Sequence, residues 1–272
     1  MPLLVGVDLG TTKITSIAVD ASSGAIVAMG SAANDANVTS EADRARSRSE
    51  WHADKILAAA CRCLAQMSQQ LGSKVSDVVG IGVTGQQHGM VLVDAELRPV
   101  SPLINWQDRR ALDRMPDSDL TWLEAARAAI GQDAWHRTGC WLHPGFMSVT
   151  LFELARRNAL PANSQALFIM DYFTAALTGT TPVTEPSCAG SSGVFDVRMR
   201  DWNDEAIKAL GLSRSLFPEV REANEIVGRL TEEHARSTGL HAGTPVFAAI
   251  GDHQASFLGS VADRKNSVLV NV

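Results

Sequence analysis

The amino terminus combines an apolar run, a glycine turn and a second apolar run, and this feature constrains the fold more than any other. The first run spans residues 3–9 (LLVGVDL), Gly10 follows it, and the second run spans residues 14–19. Short runs rich in Val, Leu and Ile, separated by a glycine turn, predict two strands joined as a hairpin. A serine-glycine turn at 22–24 and the run 25–31 extend the hairpin to a three-stranded antiparallel meander.

The turn of this hairpin carries one carboxylate and two hydroxyls. Gly10 has no Cβ to obstruct a ligand or a tight turn. Thr11 and Thr12 offer backbone and hydroxyl donors to phosphate oxygens, and Asp8 is a candidate Mg²⁺ ligand, directly or through water. An ordinary hairpin turn explains the same residues, so the segment alone leaves both interpretations open.

The rest of the chain alternates between predicted strands and helices, which is typical of α/β architecture. Further strands are predicted at residues 78–83, 90–93 and 246–250. Helices are predicted at about 54–71, 120–129, 149–159, 172–177, 205–210, 232–237 and 255–261. Gly72 is expected to end the first of these helices, and Asp252 is expected to be the N-cap of the last.

Composition narrows the range of functions. The chain has 272 residues, of which 45% are hydrophobic and 20% charged, so it can form one large or two smaller globular domains. Its net charge is −6 and it has no dense basic stripe, which makes nucleic acid and anionic membrane poor candidate partners. The short cluster Arg44, Arg46 and Arg48 is interpreted as a solvated loop.

Neither a targeting segment nor a metal-binding cysteine pattern is recognisable. No part of the sequence resembles a signal peptide or a membrane span, so we expect a cytoplasmic protein. The cysteines lack paired CxxC spacing and a histidine partner at a zinc-like interval, which favours reduced structural thiols: Cys61, Cys63, Cys140 and Cys188.

The segment GQQHG, residues 85–89, lies between two predicted strands. Gln86, Gln87 and His88 place two amides and an imidazole at a strand end, where they can donate to and accept from several hydroxyls. This chemistry suits a polyol. A loop histidine bonded to a nearby carbonyl is the alternative interpretation of His88.

The segment NWQDRR, residues 105–110, places an indole beside amide, carboxylate and guanidinium groups. Trp106 could stack on the apolar face of a sugar while Asp108 orients its hydroxyls. The alternative is a helix start with a surface Asp–Arg pair, which contributes little to stability.

The segment AIGDHQAS, residues 249–256, places a carboxylate directly after a buried strand. Asp252 is a candidate general base if it lies within hydrogen-bond reach of a reacting hydroxyl. Simple helix capping is the alternative.

Taken in order, these motifs resemble those of the FGGY carbohydrate kinase family over nearly the whole chain. DLGTT is similar to the family's first phosphate loop, GQQHG to its GQMHG sugar loop, WQDRR to its WxDxR segment, and GDHQASFLGS to its GDxQAxxxG signature. DYF, LTG, AGSSG and RDW, within residues 171–202, stand at familiar intervals between them. Each motif alone is weak, but the ordered set is specific.

The resemblance implies a ribonuclease H-like, actin-like ATPase fold, with a mixed sheet flanked by helices, in which ATP and sugar meet between two domains. Asp8 would help to hold Mg²⁺, and Asp252 would be the catalytic base of phosphoryl transfer to a sugar hydroxyl. The residues expected at the ATP phosphates are Gly10, Thr11, Thr12 and Lys13. The residues that the resemblance places at the sugar are Gln87, His88, Trp106 and Asp252.

Departures from the family pattern bear on the sugar. Glycerol kinases carry an arginine and a glutamate where this chain has Gln87 and His88, and a tyrosine where it has Gly145, so glycerol is disfavoured. The histidine loop is more similar to the xylulokinase and sedoheptulokinase branches, which favours a ketose. Glu185, in a TEPS segment that replaces the usual TDxS, receives no role.

Length is the larger departure, because family members are about twice as long. We expect residues 1–250 to form the amino-terminal, sugar-binding domain and 251–272 to be the catalytic loop and the truncated start of a second, ATP-binding domain. The run 267–272 is interpreted as an interrupted strand. The chain alone would then lack the adenosine site and kinase turnover, and its apolar open surface would favour self-association as a homodimer. A sugar-binding or regulatory remnant and an Hsp70-like or actin-like ATPase remain alternatives.

Overall fold

A computed structural model describes residues 1–116, 118–263 and 265–269. The strands are β1 Leu3–Leu9, β2 Lys13–Asp20, β3 Ile26–Ala33, β4 Glu50–Trp51, β5 Val78–Gly85, β6 Val91–Val93, β7 Leu103–Ile104, β8 Gln165–Leu167, β9 Val183–Thr184, β10 Phe195–Asp196, β11 Asp201–Trp202, β12 Glu219–Val220, β13 Ile226–Arg229, β14 Pro245–Phe247 and β15 Ile250–Gly251. The helices are α1 Glu41–Ala45, α2 Ala53–Leu71, α3 Trp122–Thr138, α4 Met147–Arg156, α5 Ile169–Thr178, α6 Pro186–Gly190, α7 Asp204–Ala209, α8 Glu232–Thr238 and α9 Asp252–Ser260. Short 3₁₀ helices lie at Gly72–Asp77, Arg110–Leu112 and Arg214–Leu216.

The main sheet is mixed and is flanked by helices, which confirms the predicted α/β class. Its strands lie in the order β13-β14-β5-β1-β2-β3, and β15 also pairs with β5. The meander β1-β2-β3 is antiparallel, as expected, whereas β5 runs parallel to β1 and both β14 and β15 run parallel to β5. The short strands β4 and β6 to β12, apart from this sheet, pair among themselves.

The alternation of side chains along the meander decides which face of the sheet is buried. Along β1, Leu3, Val5, Val7 and Leu9 are buried, while Leu4 is exposed on the other face. Helix α2 covers the buried face, where the Ser16 hydroxyl donates to a carbonyl of the helix, that of Cys63, over 2.9 Å. Helix α2 ends at Gly72 in a positive-φ conformation, as predicted.

The end of the predicted strand 246–250 differs from expectation. The chain leaves the sheet between β14 and β15, and β15 continues through Gly251 because that residue pairs with Gly85. Gly251 is therefore the N-cap of α9, and the prediction of Asp252 as the N-cap was wrong: Asp252 is the first helical residue. Its Oδ1 accepts the N–H of His253 over 2.8 Å.

Three further element predictions need comment. The helix predicted at 120–129 extends to Thr138, interrupted by Gly131 at φ 71°. Residues 267–269 have no regular structure, and the remainder of the strand expected at 267–272 lies outside the described residues. Among the described residues, no helix has the length and apolar character needed to cross a membrane.

Candidate active site at the carboxyl edge of the sheet

The topology brings three polar segments to one edge of the sheet. Strands β1, β5 and β15 are parallel neighbours, so their carboxyl ends lie side by side. The turn 10–12 follows β1, the loop 86–88 follows β5, and Asp252 follows β15. Ligand sites in open α/β sheets form at such an edge. The segments singled out in the sequence therefore converge, although up to 240 residues separate them along the chain.

The phosphate-loop candidate is a tight turn held by Asn34. A Cβ on Gly10 would lie 2.6 Å from the carbonyl oxygen of Lys13, so only glycine fits there. The Asn34 side chain donates to the Gly10 carbonyl over 3.0 Å, and its backbone N–H donates to the Thr12 carbonyl over 2.9 Å. Thr12 and Lys13 are exposed beside this support. The turn thus keeps its shape while its outer donors stay accessible.

The carboxyl groups of Asp8 and Asp252 lie near enough at this edge for the charge of one to affect the pKa of the other. Asp8 pairs with Thr84, and Thr84 pairs on its other side with Ile250, two residues before Asp252. Asp8 is an exposed residue that lines a concavity, where partial desolvation of its carboxyl raises its pKa and the charge of Asp252 raises it further, to about 6. Oxygen ligands of this kind are those that Mg²⁺ prefers.

We expect the Asp252→Asn variant to have a lower Asp8 pKa than the unsubstituted chain. Removal of the Asp252 charge leaves desolvation, the larger cause, so the pKa should fall from about 6 without reaching 3.8. A ¹³C-carboxyl NMR titration of the 272-residue chain measures this directly, with the fully exposed Asp119→Asn as a matched control. An Asp8 pKa equal in both chains would contradict the proposed proximity.

The raised pKa of Asp8 also sets the sign of two pH effects. Asp8 gains a proton as pH falls through about 6, and a protonated carboxyl is a poorer ligand for a divalent cation than a carboxylate is. Because the folded state binds this proton more tightly than the unfolded state, the Asp8 contribution to stability should increase as pH falls from about 6 to about 4.

His88 is fixed as a hydrogen-bond acceptor for a ligand. Its Nδ1 lies 3.1 Å from the carbonyl oxygen of Ser191, which can only accept, so Nδ1 carries the proton and Nε2 retains a lone pair. Phe146 stacks on the imidazole with 4.2 Å between ring centroids. Burial lowers the pKa of His88, which favours this neutral form. The alternative interpretation, a loop histidine bonded to a nearby carbonyl, is correct for Nδ1. Nε2 remains available to a ligand.

Gln87 connects the sugar-loop candidate to the strand that ends at Asp252. Its buried Nε2 donates to the Ser187 carbonyl over 2.8 Å, and the Ser187 hydroxyl accepts the N–H of Gly251 over 3.0 Å. Glu185 accepts from the Ser187 backbone N–H and hydroxyl. A Cβ on Gly251 would collide with Gln87 Nε2, so a larger residue there would displace the Gln87 amide. Glu185, which received no role from the sequence, thus orients Ser187.

Trp106 stands at the site, whereas Asp108 does not. The indole is 39% exposed, and its Nε1 donates to the Thr11 hydroxyl over 3.0 Å. Asp108 is fully buried, and its oxygens accept from the Ser49 backbone N–H and from the backbone and guanidinium of Arg110 over 2.8 to 2.9 Å. The expectation that Asp108 orients sugar hydroxyls is therefore corrected: its oxygens are occupied within the protein. The alternative prediction of a surface Asp–Arg pair was also wrong, because the Asp108–Arg110 pair lies inside the protein.

Gly145 packs directly against the loop that carries Trp106. Its φ is +81°, and a Cβ there would collide with the Trp106 carbonyl. A larger residue at position 145 would therefore require a different backbone path for this loop.

The family assignment follows from comparison with known proteins. Residues 3–259 match the model of the N-terminal domain of the FGGY family of carbohydrate kinases. The chain belongs to this family. This match confirms the resemblance inferred from the motifs. It favours an FGGY kinase domain over the alternative of an Hsp70-like ATPase.

Curated FGGY relatives are sugar kinases about twice as long as this chain. L-fuculokinase of Salmonella typhi is 32% identical, with 98% of this chain and 54% of the relative covered. Human sedoheptulokinase is 30% identical, with 98% and 57% covered. The chain therefore spans about half the length of the curated relatives it matches.

Solved FGGY structures share the fold. The Brucella ovis protein described as a xyloylose kinase superposes with a TM-score of 0.80 at 27% identity, covering 94% of this chain and 50% of that one. Xylulose kinase from Rhodospirillum rubrum gives a TM-score of 0.80 at 25% identity over the same fractions. The expected actin-like ATPase fold is thereby confirmed.

Proposed function

We propose that this chain is the sugar-binding half of an ATP-dependent sugar kinase, which transfers the γ-phosphoryl group of ATP to a hydroxyl of a ketose. The observation that carries the proposal is the convergence of Asp8, Asp252, His88 and Trp106 at one sheet edge, beside a turn suited to phosphate. The sequence roles of Gln87, Thr11 and Thr12 are consistent with this arrangement. Gln87 in addition holds the strand before Asp252.

The proposed mechanism assigns each side chain a separate task. Asp252, in the first turn of α9, accepts the proton of the attacking hydroxyl as general base. His88 Nε2 accepts a hydrogen bond from a neighbouring hydroxyl, and the exposed indole of Trp106 stacks on the apolar face of the sugar. Together they hold the hydroxyl in line for attack, since positioning supplies much of the acceleration in phosphoryl transfer.

Residues of the β1–β2 turn would hold the nucleotide phosphates and the metal ion. Gly10, Thr11, Thr12 and Lys13 supply backbone, hydroxyl and ammonium donors, and the Asp8 carboxylate fits Mg²⁺ together with phosphate and water oxygens. When bound, Mg²⁺ offsets the charge of the phosphates. The Asp8 carboxylate serves this purpose best above pH 6, where it is ionised.

We further propose that a carboxy-terminal FGGY domain completes the site, with residues 1–250 as the sugar-binding domain and 251–272 leading into the second. The lengths of the relatives support this division. An open face of the sheet, lined by Leu4, Ile17 and Phe247 around Gly6 and Gly82, forms a concavity of about 750 Å³ beside Asp8. We assign this face to the second domain. In its absence, apolar contact between two copies is the competing outcome.

Gly82→Met tests this docking face. The position has no atom closer than 3.9 Å to an added Cβ, so the chain should fold normally while the methionine fills the concavity. Sedimentation of the 272-residue chain mixed with a separately expressed carboxy-terminal half should show a complex that the variant weakens at least about tenfold, which corresponds to about 1.4 kcal/mol. Equal binding by both chains, or a homodimer that the second half does not displace, would refute the assignment.

Turnover itself is tested with a panel of ketoses and polyols. We expect sugar-dependent ADP release from the longest natural polypeptide that carries this chain, with ketoses preferred over glycerol. The purified 272-residue chain alone should show no appreciable turnover, because ATP sites of this fold lie between two domains. ADP release by the isolated chain would overturn the second part, and no turnover with any sugar by the longer polypeptide would overturn the first.

A further inference from the structure

Hydrogen bonds among four side chains join the turn 10–12, the loop 86–88 and the loop that carries Trp106. The Trp106 Nε1–H donates to the Thr11 hydroxyl oxygen over 3.0 Å, and the Thr11 hydroxyl donates to Gln86 Oε1 over 3.3 Å. Asn105 Nδ2 donates to the same Gln86 oxygen over 3.2 Å. Because Asn105 and Trp106 are consecutive residues, the three hydrogen bonds and the backbone between these two residues form a ring. The phosphate turn and the tryptophan loop are thus linked through one hydroxyl group and one amide.

The Thr11 hydroxyl has a single proton, which limits what it can do at one time. In this arrangement the proton points to Gln86 Oε1. A phosphate oxygen bound at the turn would compete for that proton, whereas the Thr11 oxygen would remain free to accept from Trp106. A hydroxyl that donates to an anion becomes a better acceptor, since hydrogen bonds in a chain polarise one another. Phosphate binding should therefore strengthen the bond to the indole.

Gln86 makes this exchange favourable. Its side chain is 4% exposed, and its Nε2 lacks a hydrogen-bond partner among the residues that the structure describes. An unpaired buried donor opposes the present arrangement. When Thr11 releases Oε1, that oxygen still accepts from Asn105 Nδ2, so Gln86 gains no further unpaired atom.

We propose that the Trp106–Thr11 hydrogen bond couples the two substrates: phosphate bound at the Gly10–Thr12 turn fixes the indole on which the sugar stacks, and Gln86 holds the Thr11 proton when no phosphate is bound. This inference rests on the proposed function. It gives Gln86 the role of a positioning residue: its buried amide contacts Thr11 and Asn105 instead of the hydroxyls that the sequence context suggested.

Indole NMR on the ¹⁵N-labelled 272-residue chain tests the coupling. The probe is sodium tripolyphosphate with MgCl₂, and the Trp106 Nε1–H resonance is identified by its loss in Trp106→Phe. We expect the backbone N–H resonances of residues 10–12 to shift and hydrogen exchange at the Trp106 indole to slow about fivefold, a typical coupling. In Thr11→Val the indole response should vanish, and in Thr11→Ser, which keeps the hydroxyl, it should persist.

Thr12→Val is the matched control, because Thr12 is an exposed neighbour outside the contact set. It should weaken tripolyphosphate binding and keep the indole response at saturation. If residues 10–12 respond and the indole does not, or if Thr11→Val retains the response, the coupling is refuted while the phosphate site stands. If residues 10–12 do not respond to tripolyphosphate, the coupling and the phosphate site proposed for this chain both fail.

Kinetics of the longest natural polypeptide give an independent readout. Thr11→Val should raise the KM for the sugar about fivefold as well as the KM for ATP, although Thr11 is assigned to the phosphates. Thr12→Val should raise the KM for ATP alone. A Thr11→Val enzyme with an unchanged KM for the sugar would contradict the coupling.

Discussion

Asp252→Asn is expected to lower kcat by about two or more orders of magnitude while sugar binding stays within a few fold. Asparagine has nearly the shape of aspartate but cannot accept the proton of the attacking hydroxyl, and general-base catalysis contributes about 10²–10⁴ to the rate. Asp252 is the first residue of α9, and its side chain is partly exposed at the sheet edge, so the substitution should leave the fold intact. ADP release by the longest natural polypeptide gives kcat, and sugar titration gives the affinity.

Asp119→Asn is the control for this substitution, since Asp119 is fully exposed and its ion-pair partner Arg114 is also exposed. It should leave kcat unchanged. A near-normal kcat in Asp252→Asn would remove Asp252 as the base. A large loss of sugar affinity in that variant would instead assign Asp252 to binding.

Arg110→Met is expected to lower the free energy of unfolding of the 272-residue chain by about 3–5 kcal/mol. Asp108 is fully buried, and the Arg110 guanidinium supplies two of its hydrogen bonds and a third to Glu50. Methionine fills similar volume but leaves the Asp108 carboxylate buried without its counter-charge. Urea unfolding monitored by circular dichroism measures the change.

Two variants sharpen this prediction. Arg98→Met removes two ion pairs, with Asp94 and Glu96, but the arginine side chain is 72% exposed, so the effect should stay within about 0.5 kcal/mol. Asp108→Asn combined with Arg110→Met removes the unpaired charge and should recover part of the lost stability. A loss below about 1 kcal/mol in Arg110→Met would show that Asp108 keeps another source of compensation.

The elements that set the architecture were readable from local patterns. Alternating apolar residues gave β1 and β2, the helical period gave α2, and Gly72 marked its end, because each signal depends on neighbours within a few residues. The parallel order of β1, β5 and β15 then placed the motifs at one edge. Local reasoning failed at Asp252, where pairing of Gly251 with β5 displaced the helix start.

The residues that hold the site in place could not be predicted from the sequence, because they are remote in the chain from the residues that they contact. Asn34 holds the Gly10–Thr12 turn from 24 residues away, and Ser187 anchors Gln87 from 100 residues away. Phe146 reaches His88 from another loop. None of these has a local signature. The Asp108 error has the same origin, since the sequence shows an Asp–Arg spacing but not that the pair is buried.

Helix α9 carries the proposed base. The structure describes all nine of its residues, and none of them is buried. The helix contacts β5 and β15 only with residues that stay partly or fully exposed, and an element with so little buried surface opens easily. The orientation of Asp252 should therefore depend on whatever covers the open sheet face beside it. In the proposed enzyme, such dependence would link assembly to chemistry, because the base would be held in its working orientation only after the second domain had docked.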